Sequence, residues 1–454
     1  MKEPVKQMKT ASSMSGGVPA ERTDSATEAA ANSRSPAPPS PDPAASDPAS
    51  PVLASPDLLE GIRFFTRETE ILSDLSVACG AGDRLAAAMD GESVRKSSVF
   101  DLASLTKLFT GVCLLRLREL GQLDPGRSVA FYDPRFVHLR DASVAEVMTF
   151  ALSLQTPGRV DACPDRESGL SCLFEIRSAG PSGPRAYSDM PAMVLKYVAE
   201  AASGLPLMDC VRRLILDPAG MTETWARVPD DRLPDVMDYT GEYRIERGVH
   251  RLRTDLRPGV PHDPKAALIQ GNSGDLCGHA GLFSTMGDLV RFCRAMLAGK
   301  ILSPDSLREL AVNRTGRPLE GGGWSQFLGV CCYVRHPVQY YSEIPVYMGS
   351  RAFGVGGFTG NHLSIDPERN LFTVFLGNRV KNRLTTLLPE EGKTLEDYGL
   401  RPDGVGHVIR PDGLRVPSSV HYVHQKDAHL HAAVAKALSL PEAPFTPAPP
   451  QQWT

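Results

Sequence analysis

Two pairs of strand-like segments stand at opposite ends of the patterned part of this chain. That separation constrains the fold more than any other feature. Near the start, Ile71–Cys79 and Arg84–Met89 flank Gly80-Ala81-Gly82-Asp83, a hairpin-type turn. Near the end, Phe358–Ile365 and Leu371–Leu376 alternate around the turn Asp366-Pro367-Glu368-Arg369-Asn370. Between them the pattern is mainly helical. Leu102–Leu120 reads as an amphipathic helix, with Leu105, Leu108, Val112, Leu115 and Leu120 near helical period and Gly121 as its stop. Met193–Ala202, Met208–Leu216 and Asp288–Leu297 follow as helices, Leu58–Thr69 precedes them, and Ala428–Leu438 closes the series. The charged stretch Asp230–Pro264 reads as loop. This order predicts an α+β protein with an antiparallel sheet built from both chain ends, flanked by helices, and a mainly helical insert at about 125–265. A cleft between sheet and insert is the natural place for a small-molecule site.

Composition sets the outer limits. Ala, Ser and Pro fill 31 of the first 56 positions, and large apolar residues are nearly absent there. Such a stretch buries too little surface to offset its ordering entropy, so 1–56 is expected to be a disordered tail. The folded domain is expected over 57–440, with 441–454 a Pro-rich tail. A net charge of −4 excludes a general nucleic-acid binder. No apolar run approaches the roughly 18 residues that a bilayer crossing needs. Met1-Lys2-Glu3-Pro4-Val5-Lys6-Gln7 leads into no apolar stretch, unlike a secretory signal. Nine irregularly spaced cysteines, among them the close pair Cys163 and Cys172, form no pairing framework or zinc spacing. A reduced, cytoplasmic protein is the expectation. Cys331-Cys332, within the apolar run Phe327–Val334, reads as core or sheet edge.

The sharpest local signal is Ala103-Ser104-Leu105-Thr106-Lys107. A serine and a lysine three apart at a helix start share one face. The positive end of the helix dipole favours an alkoxide there, and a lysine in a partly dry cleft can lose its proton and act as base. Ser-x-x-Lys is the nucleophile motif of serine β-lactamases and penicillin-binding proteins, though four residues alone also fit a plain surface helix.

Further segments reinforce that motif. Tyr187-Ser188-Asp189 opens a helix about 80 residues on. Asp217-Pro218-Ala219-Gly220-Met221 through Thr224, Val260-Pro261-His262-Asp263 and Gly278-His279-Ala280-Gly281-Leu282-Phe283-Ser284-Thr285 follow in order. Phe358-Thr359-Gly360 and Gly377-Asn378-Arg379-Val380 complete the series. With these, the chain over about 58–440 resembles the β-lactamase-related serine hydrolases: class C β-lactamases, penicillin-binding D,D-peptidases and their esterase relatives. The resemblance implies a β-lactamase/transpeptidase-like fold. It implies Ser104 as the acylated nucleophile, with Lys107 and Tyr187 sharing the proton work as a coupled pair. It also implies an oxyanion hole made by the amides of Ser104 and of Phe358 on a neighbouring edge strand, with Asp189 near the substrate.

Two departures qualify that expectation. Relatives carry Lys-Thr-Gly or His-Thr-Gly on the strand lining the cleft, where this chain has Val355-Gly356-Gly357. The cation and hydroxyl that hold a substrate carboxylate are missing, which argues against β-lactam and D-Ala-D-Ala substrates. Gly357 remains, so close backbone approach can survive. Upstream, Val147-Met148-Thr149-Phe150-Ala151-Leu152-Ser153-Leu154 replaces an element that relatives conserve, so nearby loops are expected to be remodelled. His279 and Arg351 are candidates to restore positive charge, against the plainer reading of a structural loop histidine and a surface arginine. His421, His424, His429 and His431 cluster near the C-terminus but lack a completing ligand set. The expectation is a serine hydrolase or acyltransferase acting on a small ester or amide, without metal or cofactor, nucleic acid or membrane. The alternative is a catalytically inactive binding or scaffold protein that keeps the fold.

Overall fold

The structure is a computed structural model and describes residues 55–271, 273–338, 342–388, 390–403, 407–420 and 422–441. Nearly all of the Ala/Ser/Pro-rich stretch, and residues 442–454, lie outside these. The strands from the two chain ends meet as the separated patterns require. One six-stranded sheet runs Tyr333–Val334, Phe353–Gly356, His362–Asp366, Leu371–Asn378, Asp74–Ala81, Arg84–Gly91. Every pairing in it is antiparallel. Its seam is the pairing of the two ends, Asp74 opposite Asn378 through Ala81 opposite Leu371.

The central strands are buried on both faces, so alternate side chains enter different cores. Ala78, Val374, Leu376, Phe353 and Val355 pack into the large helical core. Val77, Leu75 and Phe375 face the other way, onto Leu58 and Ile62 of the helix Pro56–Arg63 and Leu430 and Val434 of the helix Tyr422–Leu438. The insert contributes the helices Arg166–Phe174, Met190–Ser203 and Leu207–Val211. The helix Met190–Ser203 ends as read, at Gly204 with φ 71°.

The structure corrects four local expectations. The helix expected over Leu102–Leu120 is a 3₁₀ turn, Ala103–Leu105, followed by the α-helix Thr106–Glu119. This helix is buried on every face through Leu115 rather than amphipathic, because it runs through the core instead of along it. Gly111 allows that depth: a Cβ there would lie 2.8 Å from that of Cys331, which is itself core. The stretch Asp230–Pro264 is not all loop. It contains the hairpin Glu242–Glu246 and Val249–Arg253, whose first strand pairs in parallel with Leu384–Leu388. The sequence hides this strand because charged Glu242 is buried like Ile245 three residues on, so its burial does not alternate with period two. The opening helix ends at Arg63 and passes into a wider turn, Phe64–Glu68.

The fourth correction bears on function. The strand expected over Phe358–Ile365 begins only at His362. Before it the chain makes a tight turn, with Gly357 N–H donating to Asn361 O at 2.7 Å and Gly360 N–H to Gly357 O at 3.0 Å. Phe358 therefore projects from a turn, not an edge strand; the sheet edge there belongs to Tyr333–Val334. Gly360 sits at φ 117°, and a Cβ on it would meet the Gly377 carbonyl at 3.0 Å. Gly360→Ala is expected to lower unfolding free energy in urea by about 1–3 kcal/mol. An unchanged midpoint would show that this turn relaxes freely.

Candidate active site

The site grows from the strand Phe100–Asp101. Asp101 is buried, and its Oδ1 accepts the Ala103 N–H at 2.9 Å while its Oδ2 accepts the His262 N–H at 2.6 Å. Its carbonyl accepts from Thr359 Oγ1 at 2.8 Å and Asn361 Nδ2 at 2.7 Å. One residue thus ties together the nucleophile turn, the Phe358 turn and the His262 loop. Ala103 is held at φ 47°, a conformation costly for a residue with a Cβ. The chain reverses there and sets Ser104, half-buried, on the wall of a cleft of about 480 Å³.

Lys107 follows one turn later with its side chain fully buried. Its Nζ donates to Ser104 Oγ at 2.8 Å, to Asp189 Oδ1 at 2.8 Å and to the His279 carbonyl at 3.4 Å. Those three acceptors match the three donors of an ammonium. Burial alone pulls the amine down, but the Asp189 carboxylate and then the Tyr187 phenol outweigh it and raise it above the ordinary lysine value. The sequence left open whether Lys107 or Tyr187 holds the proton; this direction favours the ammonium form of Lys107. Burial raises the Asp189 carboxyl, while Lys107, His279 and Lys265 draw it further down, to well below the usual carboxylate range.

Tyr187 and Asp189 enter from the start of the helix Met190–Ser203. The Tyr187 amide donates to Gln326 Oε1 at 2.8 Å. Its ring stacks on Phe150 and Tyr333, with centroids 5.5 and 4.8 Å apart, and Lys107 Nζ lies 4.9 Å from the ring centre. Its buried hydroxyl has no well-formed hydrogen bond among the described residues. Burial raises the phenol above its ordinary value despite the nearby Lys107 charge, so it rests protonated. Asp189 occupies the helix N-cap position without making a capping hydrogen bond; its carboxylate turns to the lysines instead. The remodelled upstream segment supplies Phe150 to cover Tyr187.

Ser104, Lys107, Tyr187 and Asp189 therefore converge, and Gly357 and Phe358 line the same cleft as Ser104. Gly357 is needed for this: a Cβ would lie 2.8 Å from Leu102 O and 3.3 Å from Leu105 Cδ1, so only a glycine lets the Phe358 turn close on the nucleophile turn. Of the two candidates for positive charge near the site, His279 stands beside Asp189 and Asp263 without lining the cleft, and Arg351 lies elsewhere. His279 is buried, with Nε2 2.9 Å from Asp263 Oδ1 and its carbonyl on Lys107. Arg351 is half-exposed and faces Glu368. Near the C-terminus His429 stacks on Phe64, while His421 and the side chains of His424 and His431 lie outside the described residues.

The sequence reading missed several contributors. Lys265, at the start of the helix Pro264–Gln270, bridges Asp189 Oδ2 at 3.0 Å and Asp263 Oδ2 at 3.2 Å. Asp189, Asp263 and His279 bring potential metal ligands within 4.8 Å of one another, but the Lys265 ammonium already supplies the cation between the two carboxylates. The signal was available, since Lys265 follows directly on His262-Asp263. Val355 is buried in the core, and Gly356 faces Glu343, whose carboxylate contacts Lys426 at 2.9 Å. No local pattern marks that pair as site residues.

The Beta-lactamase family model matches residues 68–390. A putative D-alanyl-D-alanine carboxypeptidase of Escherichia coli (strain K12) is 25% identical over 335 residues, which cover 67% of this chain and 74% of that protein. Among solved structures, EstCE1, a hydrolase with promiscuous acyltransferase activity, has a TM-score of 0.55 and 19% identity, over 73% of this chain and 93% of its own. A penicillin-binding protein homologue from Caulobacter crescentus has a TM-score of 0.54 and 17% identity, over 72% of this chain and 92% of its own. Both structures share the β-lactamase/transpeptidase-like fold read from the sequence.

Burial pulls the His279 imidazole down, but Asp263 and the other acids around it lift it to about 10. The folded value lies above the ordinary one, so its stabilisation is complete below about pH 6.5 and is lost as pH rises through about 10. The unfolding free-energy gap between wild type and His279→Gln should therefore narrow from about pH 6 to about pH 10. A gap independent of pH would show that the ring is not charged.

Proposed function

The chain belongs to the Beta-lactamase family of serine hydrolases, and on that premise we propose that it is an active enzyme that cleaves or transfers the acyl group of a small ester or amide through a covalent intermediate on Ser104. The observation that carries this reading is the contact of the buried Lys107 ammonium with Ser104 Oγ at 2.8 Å, held by Asp189. A protein that kept the fold only as a scaffold has no need to bury a lysine at such cost beside a serine.

Ser104 Oγ attacks the substrate carbonyl carbon. Tyr187 takes the serine proton as it passes its own to the leaving oxygen or nitrogen, so a protonated phenol suffices at the start. The Lys107 ammonium stabilises the negative charge that develops on the serine and phenol oxygens. The carbonyl oxygen, now an oxyanion, faces the amides of Ser104 and Phe358; one such donor contributes about 3 kcal/mol. Collapse breaks the acyl C–O or C–N bond and leaves the acyl group on Ser104. Water or another acceptor attacks that ester, and its proton returns to Ser104 through Tyr187.

The irregular spacing of the nine cysteines, which forms no pairing framework, supports a reducing compartment such as the cytoplasm. No helix among the described residues is long and apolar enough to cross a membrane.

Intact-mass measurement after a fluorophosphonate probe should show one adduct on wild type and none on Ser104→Ala. An unmodified, folded wild-type protein would favour the scaffold reading. Lys107→Met should abolish turnover of a p-nitrophenyl ester. In Asp189→Asn the Lys107 amine loses its main charge partner, so burial lowers its pKa. If Lys107 acts as the cation, the alkaline limb of kcat/KM moves to lower pH in this variant. A shift of the acid limb alone would instead identify Lys107 as a free base.

A further inference from the structure

Most cations lining the cleft have their own carboxylate. Arg159 pairs with Asp161, Lys265 with Asp189, and Lys426 with Glu343. Arg379 differs. It follows the strand Leu371–Asn378, is 5% exposed and lines the cleft, yet no carboxylate among the described residues reaches ion-pair distance of it. Its Nε donates to Ser419 Oγ at 3.3 Å and its Nη2 to Thr385 O at 2.8 Å. The nearest acid in its field, Glu242, is committed elsewhere, accepting Thr385 Oγ1 at 2.7 Å and standing 2.9 Å from His262 Nε2. Burial pulls the guanidinium down to about 10. A buried charge without a counter-ion is among the costliest groups a fold can hold.

A second guanidinium converges on the same place. Arg379 lies 5.0 Å and Arg244 5.7 Å from the centre of the Phe358 ring. Arg244 pairs with Glu246 through Nη2 at 3.1 Å and, more loosely, with Glu242 through Nε at 3.7 Å, where the buried Nε makes no hydrogen bond among the described residues. An anion there would give Arg379 the counter-ion that the described residues do not, with the Arg244 Nε as a second donor. Because the Phe358 turn abuts the nucleophile turn, such an anion would lie within a short chain of Ser104. This place is distinct from the Gly356 face, where the third motif is lost and Glu343 stands instead.

We propose that Arg379 and Arg244 form an oxyanion-binding subsite that selects substrates carrying a carboxylate or phosphate a few bonds from the scissile carbonyl. The inference rests on the Ser104 hydrolase reading and names its substrate class. Charge-assisted hydrogen bonds of ordinary strength translate into a preference of about ten- to hundred-fold. Wild type should therefore hydrolyse the mono-p-nitrophenyl ester of glutaric acid that much faster, in kcat/KM, than p-nitrophenyl butyrate. The ratio should collapse toward one in Arg379→Met and fall in Arg244→Gln, a half-exposed position where folding is less at risk, and it should also fall with added salt.

Calorimetric titration of the Ser104→Ala protein reads the subsite without turnover. Glutarate or inorganic phosphate should bind saturably, the tighter of the two naming the group recognised, and Arg244→Gln should weaken that binding. Equal rates on the two esters with neither anion bound would overturn the subsite while leaving the hydrolase reading intact. Anion binding in a protein that takes no fluorophosphonate adduct would support the subsite and remove the hydrolase reading.

Discussion

The Lys107 ammonium is the constraint around which the rest of the site is arranged. It carries a full charge to a place without solvent, where an unmatched ion would cost several kcal/mol. The structure answers with a run of alternating charges that a backbone carbonyl closes into a ring. Lys107 meets Asp189, Asp189 meets Lys265, Lys265 meets Asp263, Asp263 meets His279, and the His279 carbonyl returns to Lys107. Each member is fixed by two others, so the amine is held against Ser104 by more than the helix that bears both. The same ring explains why Asp189 makes no capping hydrogen bond at the start of its helix.

A second device fixes where the nucleophile turn sits. Asp101 receives hydrogen bonds from three separate stretches of chain, so Ala103 keeps a positive φ that no local preference would maintain. That strain is affordable because the buried carboxylate and carbonyl would otherwise lose their partners. The missing glycine side chain at 357 then lets the Phe358 turn lie against Ser104's turn. The two amides proposed to receive the oxyanion are thus borne on elements that one aspartate holds together.

One wall of the cleft draws on residues from beyond the family-matched segment. The strand Phe353–Gly356 brings no charged or hydroxyl side chain to the cleft. Glu343 now faces Gly356, and the C-terminal helix brings Lys426 and Tyr422 to the cleft from beyond the family-matched residues 68–390. Tyr422 also anchors the turn, donating to Gly360 O at 2.6 Å. The fold is therefore shared with the family over most of its length, while part of the cleft lining comes from a segment outside the family-matched residues.

Much of this was legible in the sequence. Period-two segments at both ends specified one antiparallel sheet, because a buried strand must pair and these had only each other. Ser104 and Lys107 were readable because a helix start and its first turn fix their local geometry, and Tyr187 because its motif resembles that of the family. The sequence could not show that the Leu102–Leu120 helix is buried all round, that Phe358 leaves its strand for a turn, or that charged Glu242 occupies a buried strand position. It could not assign the protonation of Lys107, nor bring Lys265, Arg244, Arg379 and Glu343 to the site. Periodicity and short motifs report on neighbours within a few residues along the chain. The charge on a buried amine and the lining of a cleft depend on side chains that only the folded backbone brings within a few ångströms, across separations of 82 residues for Lys107 and Asp189 and 83 for Glu343 and Lys426.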